Sequence, residues 1–424
     1  MTGSGAGNGL SRRRVLLGGG AMGAFGAMQV MTPKAAWSWS PLGSIAGSGA
    51  GLDPTTVWDA AADPVVAGII DRGEVAQVNA LLRTWTKNGQ ALPAGLPADL
   101  HDFIESARQL PSWADRAKLN QTKDFYKRRG TYLGVLYGMG SGMMSTLIPH
   151  EARAVYYSNG GFDLKERISK TAKLGYDIGT QNAFDDDGEM IVTAVKTRLI
   201  HAGVRHLLPK SSYWAAVADE DKPISQRDIM ITWHSLASFT WQKMNDWKIK
   251  LPQADADAYL HSWQVTAHML GVLDEYIPVS WSEATSQSTQ LLDPLLAATP
   301  EGLNLADRLL HLASEYDGGA SYPFLCSATR NTLGNQKSDW LKIPRQPGLD
   351  QMVAAGWPQY IAMKEGWHTL GLPLSSELTW GFDEFLRLGT LMFLSEGKPI
   401  SIEIPSGNNP NYGGTGAGPG TGGY

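Results

Sequence analysis

The sequence predicts an all-α protein built as a single large domain, and three observations support that prediction. Most of the chain between Gly51 and Glu403 has apolar residues at helical spacing, whereas the alternation expected of strands is weak throughout. Hydrophobic residues make up 43% of the chain and charged residues 18%, which is typical of a globular protein with a sizeable core. The chain of 424 residues is long enough for one large domain or two ordinary ones, and it shows no internal repeat.

Residues 1–46 are predicted to be a twin-arginine export signal. The run Ser-Arg-Arg-Arg at 11–14 precedes a moderately apolar stretch that is rich in Gly and Ala. A transmembrane helix is the alternative, but the stretch is short and contains many glycines. The segment Ser-Ile-Ala at 44–46 best fits a cleavage site. We therefore expect a secreted, extracellular protein that uses the twin-arginine export machinery.

Residues 47–405 are predicted to form the helical domain. Its helical segments are separated by Pro and Gly. Their approximate ranges are 64–86, 115–130, 224–248, 253–275, 283–297, 301–315 and 374–395. The segment 398–405 has the best short strand pattern in the chain. Residues 406–424 consist mainly of Gly, Asn, Pro and Thr, so a disordered tail is predicted there.

Net charge and cysteine content exclude several classes of protein. The formal net charge is -5 and no long basic run follows residue 14, so nucleic acid is not an expected partner. No segment after the signal is long and apolar enough to span a bilayer. Cys326 is the single cysteine, and a buried inert thiol is favoured there over a haem thiolate. Because no Cys-x-x-Cys-His occurs, any haem would be held non-covalently.

One segment with helical period begins at Asp163, which is predicted to be an N-cap with Glu166 as its capping-box partner. Arg167 and Thr171 fall within the apolar arc of this helix, and Lys170 lies on the border of that arc. A paired arginine and a lysine that extends to solvent on an ordinary core helix remain the alternative to a functional site.

A second segment, 191–205, places Arg198, His201 and Arg205 on its apolar face at positions i, i+3 and i+7. Buried cationic groups are costly unless they meet partners. One interpretation is that they pair with carboxylates elsewhere in the chain. The other is a haem site, in which the imidazole binds iron and the two guanidinium groups lie near the propionates.

Taken together, four features resemble the latex clearing proteins, which are secreted rubber oxygenases of actinobacteria. The features are the twin-arginine signal, Glu151 after Ile-Pro-His, Arg167-x-x-Lys170-Thr171, and Arg198-x-x-His201-x-x-x-Arg205. The resemblance covers essentially the whole chain after the signal. It implies a b-type haem in a globin-like helical core with additional helices.

The resemblance also implies roles for individual residues. His201 matches the proximal haem ligand, and Lys170 matches a lysine that occupies the distal iron position in a closed site. Arg167 and Thr171 match neighbours that are important for haem binding or site integrity. Glu151 matches a distal carboxylate that acts as a catalytic base.

The activity that the resemblance implies is oxidative cleavage of a double bond in cis-1,4-polyisoprene by O₂. The cleavage is endolytic and leaves oligo-isoprenoids with an aldehyde at one end and a ketone at the other. Two alternatives remain: a related haem oxygenase that acts on another lipid or terpenoid, and a non-catalytic haem-binding protein. A monomer is expected.

Overall fold

The computed structural model describes residues 43–47, 52–369 and 375–412, and the all-α prediction is confirmed over them. These residues contain no β-strand, and the two isolated bridges found among them join Ser44 to Pro278 and Ser158 to Asn408. All the described residues belong to one compact unit. Among them, no helix has both the length and the apolar character needed to cross a membrane.

The described residues of the first half of the chain contain nine α-helices, and a π-helical segment at Leu136–Gly142 extends the fourth. Their bounds are α1 (Ala62–Asp71), α2 (Val75–Leu82), α3 (Ala98–Ala107), α4 (Arg116–Val135), α5 (Met143–Ser145), α6 (Pro149–Tyr157), α7 (Asn159–Phe162), α8 (Leu164–Asp177) and α9 (Met190–Leu207).

The second half contains ten described helices, and a second π-helical segment at His234–Ser238 connects the second and third of them. Their bounds are α10 (Ser212–Val217), α11 (Gln226–Trp233), α12 (Phe239–Asp246), α13 (Gln253–Met269), α14 (Trp281–Leu291), α15 (Pro300–Ser314), α16 (Tyr322–Leu333), α17 (Asn335–Trp340), α18 (Pro347–Thr369) and α19 (Ser375–Leu394). Each predicted helical segment corresponds to one or more of the observed helices, whereas the short helices α5, α6, α7, α10 and α17 and the longer helices α3, α16 and α18 were not predicted.

The centre of the fold is formed by α13, which is buried along almost its whole length and packs against α4. Helix α9 packs against α1 and α13, so it too is largely buried. A smaller apolar cluster of Ala152, Leu164 and Leu305 joins α6, α8 and α15. These contacts hold α6, α8 and α9 in fixed positions relative to the core.

Local capping sets where three of these helices begin. The Asp163 carboxylate accepts a hydrogen bond from the backbone N–H of Glu166 at 2.9 Å, which confirms the predicted N-cap of α8. Pro149 occupies the first turn of α6, where its missing N–H costs nothing. Ser225 and Asp228 form a complete capping box at the start of α11.

Both ends of the described chain differ from the predicted domain boundaries. Residues 43–45 pair with the chain at Ile277 and Val279, so cleavage after residue 46 would remove packed residues. The signal itself stays a prediction, since residues 1–42 lie outside the described part. Residues 406–412 were predicted to be disordered, yet they are ordered: Asn409 is buried and Tyr412 stacks on Tyr156.

The segment 398–405 forms no strand, although buried and more exposed residues do alternate along residues 401–405. Ile402 and Ile404 are buried. The backbone of Ile404 hydrogen-bonds in both directions with the side-chain amide of Asn79 on α2, at 2.9 and 3.0 Å. The segment is therefore held by a side chain rather than by a neighbouring strand. The predicted tail beyond residue 412 lies outside the described residues.

Candidate functional site

Glu151 lies in the first turn of α6, where its carboxylate meets α11. The Thr232 hydroxyl donates a hydrogen bond to Glu151 Oε1. The pKa of the carboxyl is raised to about 8, mainly by burial and in part by the charge of Asp228, while the Thr232 hydrogen bond acts in the opposite direction. Glu151 is therefore a carboxyl group that exchanges its proton near neutral pH, as a general base must.

Arg167 extends from α8 toward the same carboxylate. Its Nη1 donates a hydrogen bond to the Thr171 hydroxyl, one turn further along the helix. Burial lowers the pKa of the Arg167 guanidinium, and the negative charge of Glu151 opposes that change. The predicted neighbours Arg167 and Thr171 are thus in direct contact, and the charges of Arg167 and Glu151 interact.

His201 lies in the middle of α9, and its Nδ1 is fully buried with no hydrogen-bond partner within the described structure. The pKa of the imidazole is lowered to about 3, mainly by burial and in part by the positive charges of Arg205 and Arg167. A buried imidazole that stays neutral and leaves a nitrogen unpaired has the electronic state required of a metal ligand. The residue therefore fits the predicted role of holding a haem iron.

Lys170 occupies the border of the α8 apolar face, as predicted. Its Nζ lies 2.7 Å from Glu166 Oε1, one turn earlier on the same helix, and its side chain is 19% exposed. In this arrangement the amine is paired with a carboxylate. A lysine binds iron only as the neutral amine, so a distal role requires Lys170 to leave Glu166 and lose its proton.

The guanidinium groups of Arg198 and Arg205 are both engaged by protein carboxylates. Arg198 makes two hydrogen bonds to Asp59, at 2.5 and 2.9 Å. Arg205 Nε lies 2.7 Å from Asp63 Oδ1, and its Nη1 donates to the Ile224 carbonyl at 3.2 Å. These contacts favour the interpretation that the two arginines pair with carboxylates, rather than their placement near haem propionates.

Comparison with known proteins agrees with this geometry. Residues 126–362, more than half of the chain, match a family model described as ER-bound oxygenase mpaB/B'/Rubber oxygenase, catalytic domain. The chain belongs to this oxygenase family. The predicted resemblance is thereby confirmed, and so is the assignment of the chain as an oxidoreductase.

Two members of the oxygenase family are similar over most of their length. A rubber oxygenase from Streptomyces sp. (strain K30) is 54% identical over 408 residues, which cover 95% of this chain and 100% of that protein. The solved structure of latex clearing protein LCP in the closed state matches with a TM-score of 0.79 and 54% identity. That match covers 87% of this chain and 99% of the solved one.

Several residues that contact the predicted site residues were not predicted from the sequence. Asp59 and Asp63 neutralise the arginines of α9 from 139 and 142 residues away along the chain. Thr232 reaches Glu151 across a separation of 81 residues. No local sequence pattern predicts partners that are so far apart along the chain. Asp228 did carry a signal, because Ser225-x-x-Asp228 before an apolar run is a capping-box pattern.

Two other buried histidines, His234 and His261, have hydrogen-bond partners within the described structure. His234 is fully buried between Ser238 and Gln287, with each ring nitrogen 2.8 Å from its partner. His261 Nε2 accepts from the backbone N–H of Asp115 at 2.8 Å. Cys326 is buried, and burial raises the pKa of its thiol, in agreement with the predicted inert cysteine.

Proposed function

We propose that this chain is a secreted b-type haem dioxygenase that cleaves the double bonds of cis-1,4-polyisoprene endolytically. The products are oligo-isoprenoids with an aldehyde at one end and a ketone at the other. Its 54% identity to a rubber oxygenase supports the substrate class. The observation that carries the cofactor assignment is His201, a buried neutral imidazole with no hydrogen-bond partner for its Nδ1.

His201 and Lys170 are the residues that would hold the haem iron. When bound, the haem supplies an iron centre that activates O₂ for insertion into a carbon–carbon double bond. Lys170 would be the second residue to hold the iron and would act as a gate, because its amine can instead pair with Glu166, as it does in this structure.

Glu151 is the general base of the proposed reaction. Its pKa of about 8 allows it to accept an allylic proton from the polymer at neutral to alkaline pH. Thr232 holds one carboxylate oxygen, and the positive charge of Arg167 stabilises the ionised form. Thr171 fixes the Arg167 guanidinium, so its contribution is to orient the charge.

The proposed substrate has no polar group, so its recognition must rest on apolar contacts and shape. Polyisoprene is insoluble and remains outside the cell, which agrees with the proposed secretion through the twin-arginine machinery. A monomer without nucleic-acid or stable membrane contacts is sufficient for this activity. A related oxygenase that acts on another terpenoid would use the same residues and a different channel lining.

The experiment that tests this proposal begins with the absorption spectrum of the purified protein, before and after reduction with dithionite. A Soret band with b-type reduced features is expected. His201→Ala should lose the band, whereas the matched control His206→Ala should keep it, because His206 is on the same helix and pairs with Asp71. Retention of full haem by His201→Ala would contradict the ligand assignment.

The catalytic role is tested with latex under oxygen, using aldehyde-reactive products as the readout. Glu151→Gln should retain haem and lose about 100-fold in rate, which is the ordinary contribution of a general base. A Glu151→Gln protein with the wild-type rate would remove Glu151 from the mechanism. Haem without any polyisoprene cleavage by the wild-type protein would instead favour a haem-binding function or another substrate.

A further inference from the structure

His150 precedes Glu151 in the first turn of α6, and its imidazole faces three carboxylates. The ring Nδ1 lies 3.1 Å from Asp228 Oδ1 on α11. The ring Nε2 lies 3.5 Å from Asp219 Oδ1 and 3.7 Å from Glu220 Oε2, both in the segment between α10 and α11. The side chain is 20% exposed, so these interactions are only partly screened by water.

Asp228 is itself fixed by the start of α11. Its Oδ2 accepts from the backbone N–H and from the hydroxyl of Ser225, both at 2.9 Å, which leaves Oδ1 for His150. The Thr232 hydroxyl oxygen also lies 3.1 Å from the backbone carbonyl oxygen of Asp228. The position of Asp228 is therefore determined by the capping box, independently of His150.

Two successive residues of α6 thus pair with two residues of α11 that are one turn apart. His150 pairs with Asp228, and Glu151 accepts from Thr232. Since residues four apart on a helix lie on one face, the two contacts define both the distance and the rotation of α6 against α11. The apolar packing of α6 sets its place in the fold, and the two polar contacts add a constraint on where the Glu151 carboxylate points.

The charges around His150 favour its protonated form. Burial lowers the pKa of the imidazole, but the hydrogen bond to Asp228 and the charges of Asp228, Glu220 and Asp219 outweigh burial, so the pKa is raised. Arg153, on the same helix, is the other cation nearby: it hydrogen-bonds to Asp219, and its Nη2 lies 2.8 Å from Glu220 Oε2. His150, Asp219 and Glu220 have a spacing suited to a metal ion, yet Arg153 already pairs with both carboxylates.

We propose that His150 is a positioning residue for Glu151: it bridges the start of α6 to Asp228, holds the Glu151 carboxylate against Thr232, and places a positive charge beside it. This inference rests on the proposed role of Glu151 as the base.

The charged and polar groups around Glu151 determine how its pKa should change when His150 is replaced. Asp228 on α11 raises the pKa of the carboxyl, while Thr232 on α11, Arg167 on α8 and His150 on α6 lower it. Removing His150 leaves Asp228 as an uncompensated negative charge near Glu151. The carboxyl should then hold its proton to a higher pH, and its orientation toward Thr232 should be less well defined.

The test compares His150→Gln, which removes the charge, with His150→Lys, which keeps one. The first readout is an infrared pH titration of the protonated carboxyl band that disappears in Glu151→Gln. In His150→Gln the midpoint should move upward by about 0.5 pH unit, and in His150→Lys it should stay at or below the wild-type value. The control is His311→Gln, an exposed histidine on α15 that should leave the midpoint unchanged.

The second readout is the pH profile of kcat/KM on polyisoprene. In His150→Gln the rise in activity should shift upward by the same amount, with roughly threefold lower kcat/KM at pH 7 and an unchanged haem spectrum. If one of the two His150 variants fails to fold, the other still tests whether His150 positions Glu151. A wild-type midpoint in His150→Gln, or an upward shift in His150→Lys equal to that in His150→Gln, would overturn the inference. The infrared titration needs no turnover, so absence of rubber cleavage would count against the proposed function alone.

Discussion

Thr232 donates the hydrogen bond that stabilises the ionised form of Glu151, and this contact partly offsets the effect of burial on the pKa of the carboxyl. A base works only when it is deprotonated. With a pKa of about 8, the carboxyl is mostly protonated at pH 7, so the rate of the proposed reaction should rise with pH through about 8.

Replacement of Thr232 by Val should shift that rise to higher pH. Valine keeps the shape of the side chain and removes the donor, so the pKa of Glu151 increases by about 0.5 to 1 unit. Activity at pH 7 should fall about fivefold and recover at alkaline pH. The pH profile of kcat/KM measures both effects. Thr289→Val, on the exposed face of α14, serves as the control, and a profile identical to wild type would show that the Thr232 contact has no functional weight.

At the scale of the helix, α9 is tied to the rest of the protein by its arginines. Asp59 accepts two hydrogen bonds from Arg198 and lies near Arg205, and both of its carboxylate oxygens are in use. Burial would raise the pKa of Asp59, but the hydrogen bond and charge of Arg198 outweigh burial and lower it. The stability that this pair contributes is present above the ordinary aspartate pKa, and it is lost as the pH falls through the lowered value.

Asp59→Asn should therefore destabilise the fold by about 3 kcal/mol, because it leaves a buried arginine without its counter-charge. The measurement is denaturant unfolding of the cofactor-free protein at neutral pH. Asp102→Asn, whose carboxylate is 86% exposed on α3, should change stability by less than about 0.5 kcal/mol. An equally small effect at Asp59 would reopen the possibility that the α9 arginines serve a bound haem.

The helices could largely be predicted from sequence, because capping and apolar periodicity are local. The N-cap at Asp163 and the helical segments around α8 and α9 are examples. The electrostatic partners could not be predicted in the same way. Glu151 is recognisable only through the family resemblance, since its raised pKa depends on burial and on residues of α8 and α11 that the chain brings near only after folding.

At the scale of the whole molecule, the segment 401–412 connects parts of the fold that are distant in sequence. Glu403 pairs with Arg83 of α2 at 2.7 Å. Further along, the side chain of Asn408 donates to the Leu207 carbonyl at the end of α9, and that of Asn409 donates to the Tyr156 carbonyl of α6, both at 2.8 Å. The segment thus joins the two helices that carry His201 and Glu151.

A chain that ends at residue 405 should consequently have a lower melting temperature than one that ends at residue 412, by about 5 °C. The shorter chain loses the hydrogen bonds to α6 and α9 and the contact between the Tyr412 and Tyr156 hydroxyls at 2.7 Å. The longer chain keeps them. Calorimetry of the two truncated proteins beside the full chain provides the measurement, and equal melting temperatures would mean that residues 406–412 add nothing to stability.

The same segment crosses α9 at Gly203. Gly203 lies two residues beyond His201 on that helix. A side chain at this position would collide with the ring of Pro405, because its Cβ would lie 2.7 Å from Pro405 Cδ. We therefore expect positions 203 and 405 to vary together during evolution. Among relatives, a larger residue at the position of Gly203 should be tolerated only where the residue opposite it has become smaller or the segment has moved outward, so that the helix carrying His201 keeps its place.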